Sequence, residues 1–398
     1  MKITKRAGAI APSLTLEITA QAKKLKSEGK DVVSFGAGEP DFNTPLYIRK
    51  AAQDAMDKGL VKYTPASGVV ALKEVICKKL EKDNSLTYSP ADIVVSNGAK
   101  HALHNAIQAI IEEGDEVIIP APYWLTYPEL VRLASGVPVF VYTKKENGYK
   151  MTAQELKDAI TDKTRAIILN NPNNPTGSVY SKEEICALAQ VLEQTDIAVI
   201  SDEIYEMLNY TSTPVYSIAQ YSQKMKDNTI IVNGVSKSYA MTGWRIGFTA
   251  CDTKVAKAIS SMQSHMTSNP NSIAQYATIA AYSDEDGKKF IGEMFDSFSR
   301  RRNLICTELD KIGISYVKPD GAFYVFVDIS NLLGKKYNDT VISSPLIFAK
   351  ALLEGFDVAV IPCESFGSDV SIRLSYAISD EDIVKGVQKI GKFISLLK

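Results

Sequence analysis

The chain has 398 residues, with 45 Lys and Arg against 46 Asp and Glu, for a formal net charge of −1. That length suits two or three compact units, and 45% hydrophobic with 23% charged residues is the balance of a globular chain with a large core. Near-neutral charge gives no field for gathering nucleic acid, and no apolar run approaches the ~20 residues of a membrane span.

In chain order, Met1–Arg6 leads into no continuous apolar segment, so no secretory signal is expected and a cytoplasmic location is. Thr44-Pro45 reads as a helix start, a capping hydroxyl followed by proline at the first helical position, with the helix running to Lys58-Gly59. Lys73–Lys82 is a second amphipathic stretch. Six short β-rich runs then alternate with helical patterns: Ile93–Ser96, Glu116–Ile119, Val137–Tyr142, Arg165–Leu169, Ile197–Ser201 and Thr229–Val232. Several are almost continuous in Val and Ile, as expected of parallel strands buried on both faces. The pattern predicts an α/β fold with a mostly parallel sheet sandwiched by helices.

The character changes after Tyr282. Asp284–Lys311 reads as a long helix, Ala322–Asp328, Val358–Ile361 and Ser371–Leu374 as strands, and Asp380–Leu396 as a terminal helix. The expected division is a large domain over 44–283 and a smaller α+β domain over 284–398, with the N-terminal segment 1–43 packing on the smaller one.

Ligands of open α/β sheets sit beyond the carboxyl ends of the strands. There the chain places Asn97-Gly98-Ala99-Lys100, whose small residues leave backbone N–H groups open to a phosphate at a helix start. Trp124, one of only two tryptophans, follows the second run and could stack on a planar ring. Asn170–Gly177 holds two Asn-Pro steps and a Gly, a tight turn rich in amides. Asp202 and Tyr205 follow the fifth run, and a buried carboxylate there calls for a cationic partner. Ser236 and Lys237 follow the sixth, with Arg245 eight residues after Lys237. Each feature has an ordinary structural reading. Together they supply what pyridoxal phosphate needs: a Lys for an imine, an Asp for the ring nitrogen, and donors for the ring oxygen and the phosphate.

Other features read more plainly. The five scattered cysteines are expected as reduced thiols, and His101 with His104, three apart in a helical stretch, lacks a third ligand for a metal. Arg300-Arg301-Arg302 is expected to form a solvated helix face.

The residues Gly38-Glu39-Pro40-Asp41-Phe42, Tyr63-Thr64-Pro65, Asn173–Gly177, Ser201–Tyr205, Ser236–Arg245 and Arg373–Ala377 together resemble class I aminotransferases of fold type I, and within them the prokaryotic-type aspartate aminotransferases. The likeness spans essentially the whole chain. It implies pyridoxal 5′-phosphate as cofactor, amino acid and 2-oxo acid substrates, and transamination between L-aspartate and 2-oxoglutarate. By position it implies that Lys237 joins the cofactor and shuttles a proton between the substrate Cα and the cofactor C4′. Asp202 would hold the ring nitrogen, Tyr205 and Asn174 the ring oxygen, and Trp124 the ring face. Gly98, Ala99, Lys100, Ser236 and Arg245 would form the phosphate site, with Tyr63 reaching the phosphate of a neighbouring subunit in a homodimer. Arg373, helped by the Gly38 backbone, would clamp the substrate α-carboxylate, and Lys100 would meet the side-chain carboxylate.

Relatives that also accept prephenate carry a lysine before a Pro-Ser pair; Ala11 precedes Pro12-Ser13 here, which favours a narrower substrate range. Aromatic or alanine aminotransferases and carbon–sulfur β-lyases would share the Lys237 and Asp202 machinery. A nicotinamide dehydrogenase is disfavoured because Gly36-Ala37-Gly38 is followed by Glu39-Pro40, not by the helix that a dinucleotide fingerprint opens. A regulatory protein fused to a DNA-binding module would need more chain.

Overall fold

The computed structural model describes residues 2–8, 10, 14–283 and 285–398. The Ala11-Pro12-Ser13 step and Asp284 lie outside the described residues.

Seven strands form the main sheet: Ile93–Ser96, Glu116–Ala121, Val137–Tyr142, Thr164–Asn170, Ala198–Asp202, Thr229–Gly234 and Gly247–Ala250. Named by first residue, their order across the sheet is 93, 247, 229, 198, 164, 116, 137. The six expected runs are present and parallel to one another, some longer by a residue or two, with Ile197–Ser201 shifted by one to Ala198–Asp202. The Gly247–Ala250 strand was not foreseen, and it runs antiparallel between the first and sixth strands. Four residues, one a glycine, carry too little pattern to read.

Alternate residues of the buried strands enter opposite layers, because strand side chains have a period of two. Ile93 and Val95 pack with Leu72, Ile76 and Ala277 of the helices Val70–Asn84 and Ser272–Ser283. Val94, Val117, Ile119 and Ile168 face the other way, onto Leu103 and Ile107 of the helix Ala99–Ile110. The strand Val137–Tyr142 is partly exposed at the sheet edge, where Pro138 is tolerated.

A second, antiparallel sheet has the order Ile361–Pro362, Ser371–Ser375, Tyr324–Asp328, Ser315–Val317. The expected Val358–Ile361 strand is two short ones, since Val358 and Ala359 pair in parallel with Val33 and Ser34 while Ile361 pairs with Arg373. Ile18, Ala22 and Val32 share a core with Phe326, Leu353 and Ile361. The helix Glu285–Lys311 spans 27 residues, about 40 Å at 1.5 Å per residue. Its Phe298 centres an aromatic group with Phe42 at 5.6 Å, Phe323 at 5.4 Å and Tyr376 at 6.4 Å. Such pairs each contribute about 0.5–1.5 kcal/mol beyond burial.

Two readings are corrected. The helix that follows Thr44-Pro45 is Leu46–Asp57 with Pro45 at its cap, and no side chain caps it. Thr44 instead donates to the Ala240 carbonyl at 2.7 Å and accepts from Trp244 at 3.0 Å. Of the arginine triplet only Arg300 is solvated. Arg301 and Arg302 have side chains only 11% exposed, because carboxylates distant in sequence reach them. Arg301 pairs with Asp41 at 2.7 Å and Asp380 at 3.4 Å, while Arg302 pairs with Asp320 at 3.3 Å.

Candidate active site

The carboxyl ends of five of the six parallel strands, all but Val137–Tyr142, open onto a cavity of about 480 Å³, closed on its other side by Tyr324, Phe366 and Arg373. Gly38, Ala99, Lys100, Trp124, Asn174, Asp202, Tyr205, Ser236, Lys237 and Arg245 line it as well.

One end is built for an anion. The helix Ala99–Ile110 starts at Gly98, which has φ +88° and no side-chain cap. Its first amides therefore keep their hydrogen-bonding capacity and carry the positive end of the helix dipole. The Arg245 guanidinium lies against Gly98, donating to the Thr242 carbonyl at 2.7 Å and the Asn97 carbonyl at 3.4 Å. A Cβ on Gly98 would strike that guanidinium, and one on Gly247 would strike the Ala99 backbone. Two glycines thus let a helix end, a strand and an arginine converge. Lys100 stands with its Nζ 4.8 Å from the Trp124 ring centroid, and burial followed by Arg245 lowers its pKa.

The floor holds Asp202, the last residue of its strand and 3% exposed. Tyr127 donates to its Oδ2 at 2.7 Å, and the Ile204 amide approaches Oδ1 at 3.3 Å. Burial pushes the Asp202 carboxyl up to about 6, against the pull of Tyr127, Ile204 and Lys237. Tyr127 also meets Trp124 edge-on, with ring centroids 5.5 Å apart. The Asn turn is tied to the same strand end: Asn170 Nδ2 donates to the Asp202 carbonyl at 3.0 Å, and its Oδ1 accepts from the Asn174 amide at 2.8 Å.

Lys237 Nζ donates to the Gly38 carbonyl at 2.5 Å and lies 5.8 Å from the Tyr205 ring centroid. Desolvation lowers its pKa to about 8; Glu39 and Asp202 oppose this, and Arg373 and Arg245 add to it. The amine is therefore far closer to its neutral, nucleophilic form than an exposed lysine.

Arg373 comes from the second sheet and is 3% exposed. Its Nη1 donates to Asn174 Oδ1 at 2.9 Å, its guanidinium stacks 4.3 Å above the Tyr324 ring, and its buried Nε has no partner. A buried guanidinium with an unused donor beside a cavity is a carboxylate site. Tyr205 and Tyr324 place their hydroxyls 3.0 Å apart.

Twelve of the thirteen site residues expected from the sequence line this cavity or, for Gly98, lie directly behind it. Tyr63 does not; it is 88% exposed, away from this chain's own cavity. Sequence reading missed Tyr127 and Tyr324. Tyr127 stands three positions after Trp124 on the helix Thr126–Leu133, a spacing that could have flagged it. The donor set fits pyridoxal phosphate: an uncapped helix start with Arg245 and Ser236 for a dianion, Trp124 for a ring face, Asp202 for a ring nitrogen and Lys237 for an aldehyde. Among the described residues no group of three or more His, Cys, Asp and Glu side chains is placed to hold a metal ion.

Comparison with known proteins gives a consistent result. The aminotransferase class I and II family matches residues 30–390. The aspartate aminotransferase of Bacillus subtilis is 48% identical over 398 residues, covering 99% of each chain. The structure of an aspartate aminotransferase from Rhizobium meliloti superposes with a TM-score of 0.95 at 38% identity, covering 100% of both chains. That of the Thermus thermophilus aspartate aminotransferase with maleate does so at 0.93 and 38% identity, covering 99% of this chain and 100% of the other.

Proposed function

The chain belongs to the class I and II aminotransferases, and on that premise we propose how its residues move an amino group from L-aspartate to 2-oxoglutarate, giving oxaloacetate and L-glutamate. The observation that carries the reading is the convergence of Lys237, Asp202 and Arg373 on one cavity from two different sheets. Pyridoxal 5′-phosphate, when bound, supplies the electron sink that lets the substrate Cα–H bond break.

Arg373 grips the substrate α-carboxylate through its free Nε edge, with the Gly38 backbone alongside. Lys237 accepts the proton from Cα and would pass it to the cofactor C4′, a task suited to an amine whose pKa lies near 8. Asp202 stays ionised through the Tyr127 hydrogen bond and would hold a proton on the cofactor's ring nitrogen. Asn174 and Tyr205 would hold the ring oxygen, and Trp124 would cover the ring. Ala99, Lys100, Gly98, Ser236 and Arg245 hold the phosphate.

A dicarboxylic substrate is supported by Lys100, a second cation in the cavity, and by the maleate in the Thermus relative. Arg373 belongs to the unit at 284–398, on which Ile18, Ala22 and Val32 of the N-terminal segment pack, and Lys237 to the unit at 44–283; substrate held by both draws the units together and excludes water. Tyr63, exposed beside Leu60 and Val61, points to a homodimer in which it completes the neighbouring phosphate site. No helix among the described residues is long and apolar enough to cross a membrane, and all five cysteines are free; we place the protein in the cytoplasm.

The test is a spectral titration of the cofactor-loaded protein with single amino acids. Aspartate and glutamate are expected to convert the visible band far faster than phenylalanine or alanine, and Lys237→Ala to abolish that conversion. Equal rates for all four would reject the dicarboxylate preference, and pyruvate with sulfide released from cystine would identify a β-lyase instead.

A further inference from the structure

We propose that the Tyr324 hydroxyl orients that of Tyr205, so that Tyr205 presents its proton to the cavity. Tyr324 is then a positioning residue, reaching the cofactor's ring oxygen only through Tyr205. The inference rests on the reading of Tyr205 as a donor to that oxygen.

The two hydroxyls are 3.0 Å apart, both residues are buried, and neither hydroxyl has another hydrogen-bond partner among the described residues. One of the two must donate and the other accept. Their environments differ. The Arg373 guanidinium lies 4.3 Å from the Tyr324 ring centroid, whereas the cation over the Tyr205 ring, Lys237 Nζ, stands off at 5.8 Å, and the pull of Arg373 on Tyr205 is opposed by the buried Asp202 carboxylate. A cation over a phenol strengthens it as an acid and hence as a donor; a nearby anion does the reverse. Burial raises both phenols and Arg373 pulls both back down, but only at Tyr205 does the Asp202 carboxylate work against that pull. Tyr324 therefore donates to the Tyr205 oxygen. The Tyr205 proton is left with one open direction, into the cavity its residue lines. Both rings are immobilised, Tyr205 lying edge-on to Phe323 at 5.6 Å and to Tyr324 at 5.9 Å, so the hydroxyl rotor is the only freedom left to fix.

The arrangement crosses between the two sheets. Tyr324 opens the strand Tyr324–Asp328 beside the strand bearing Arg373, and Tyr205 follows the strand ending in Asp202. One ring thus serves as the platform for the carboxylate-binding arginine, while its hydroxyl sets the donor on the opposite wall.

Tyr324→Phe removes the hydroxyl and keeps the ring beneath Arg373. The measurement is the pH midpoint of the visible absorption of the cofactor-loaded enzyme, with the dissociation constant of maleate measured in parallel. A donor that stabilises the ring oxyanion lowers that midpoint, so Tyr205→Phe is expected to raise it. Tyr324→Phe is expected to raise it in the same direction by about half to one pH unit, the scale of one hydrogen bond, with maleate binding changed less than about twofold. A shift in Tyr205→Phe with none in Tyr324→Phe overturns the proposal alone. No shift in Tyr205→Phe overturns the role given to Tyr205, and the proposal with it. Loss of maleate affinity without a spectral shift in Tyr324→Phe shows that the hydroxyl serves only the Arg373 platform, which also overturns it.

Discussion

Tyr127 donates its hydroxyl to Asp202 at 2.7 Å, the shorter of the two hydrogen bonds that this buried carboxylate receives. Burial holds Asp202 near 6, above the ordinary 3.8, so in the cofactor-free protein its charge is a cost to folding that appears as the pH rises through that value. Removing the donor makes the charged form costlier still. Tyr127→Phe is expected to move the acid limb of pyridoxal phosphate binding up by about one pH unit, read by fluorescence titration between about pH 5 and 8. An unmoved limb would mean that the hydroxyl does not tune Asp202.

Lys237 titrates near 8 because its ammonium is desolvated. Its neutral fraction, and therefore its reactivity, rises through that pH, where an exposed lysine would remain almost fully charged. Competitive acetylation of the cofactor-free protein is expected to modify Lys237 with a midpoint near 8. A midpoint above about 10, the ordinary lysine value, would contradict this assignment.

Gly98→Ala tests the phosphate end. The new Cβ meets the Arg245 guanidinium at a backbone φ of +88°, where a side chain is strained in any case. Cofactor affinity is expected to fall roughly tenfold or more, with most of the fold's stability retained. Equilibrium dialysis beside a thermal melt separates the two effects.

Arg301 ties Asp41 to Asp380 across the long helix, and Asp41 lies three residues from the Gly38 carbonyl that receives Lys237. Arg301→Gln frees that segment and is expected to raise KM for aspartate by roughly three- to tenfold. Arg300→Gln breaks only a pair whose arginine is 60% exposed, and should change KM by less than about twofold. Equal behaviour of the two variants would remove Arg301 from the positioning of Gly38.

Lys79, read from sequence as part of an ordinary amphipathic stretch, has a side chain only 6% exposed and forms an ion pair with Glu206. Glu206 also accepts from Asn84 at 3.0 Å and Asn233 at 2.6 Å. Lys79→Met strands the carboxylate and is expected to cost about 3–5 kcal/mol. Lys79→Met combined with Glu206→Gln should recover part of that, as measured by urea denaturation.

What the sequence disclosed follows from strand chemistry. Asp202, Lys237 and the Gly98 loop each stand at the end of a short Val- and Ile-rich run, so their common edge could be inferred before any contact was known. Tyr324 was hidden because its role depends on a sheet more than a hundred residues from Tyr205. Arg301 was misread because a charge run does not reveal that Asp41 and Asp380, far along the chain, come to meet it. The helix Pro345–Phe356 went unseen although Ser344 accepts from the Ile347 amide and Pro345 begins it, a start of the kind assigned to Thr44-Pro45. There the signal existed and was passed over; at Thr44 it misled, because Ala240 and Trp244 claimed the hydroxyl.

The reversed strand Gly247–Ala250 has a consequence for how the protein is made. Parallel strands deliver to this edge the residue that leaves them, but a reversed strand delivers the residue that enters it, which is how Arg245 arrives beside Gly98. Ile93–Ser96 meets its neighbour only across some 150 residues of intervening chain. A nascent polypeptide halted just after Lys237 would already carry the reactive amine, Asp202 and the Asn turn, but it would lack the strand that joins Ile93–Ser96 to the rest of the sheet. Capacity to retain the cofactor should therefore arise abruptly during synthesis, once residue 250 has cleared the ribosome, rather than accumulate strand by strand.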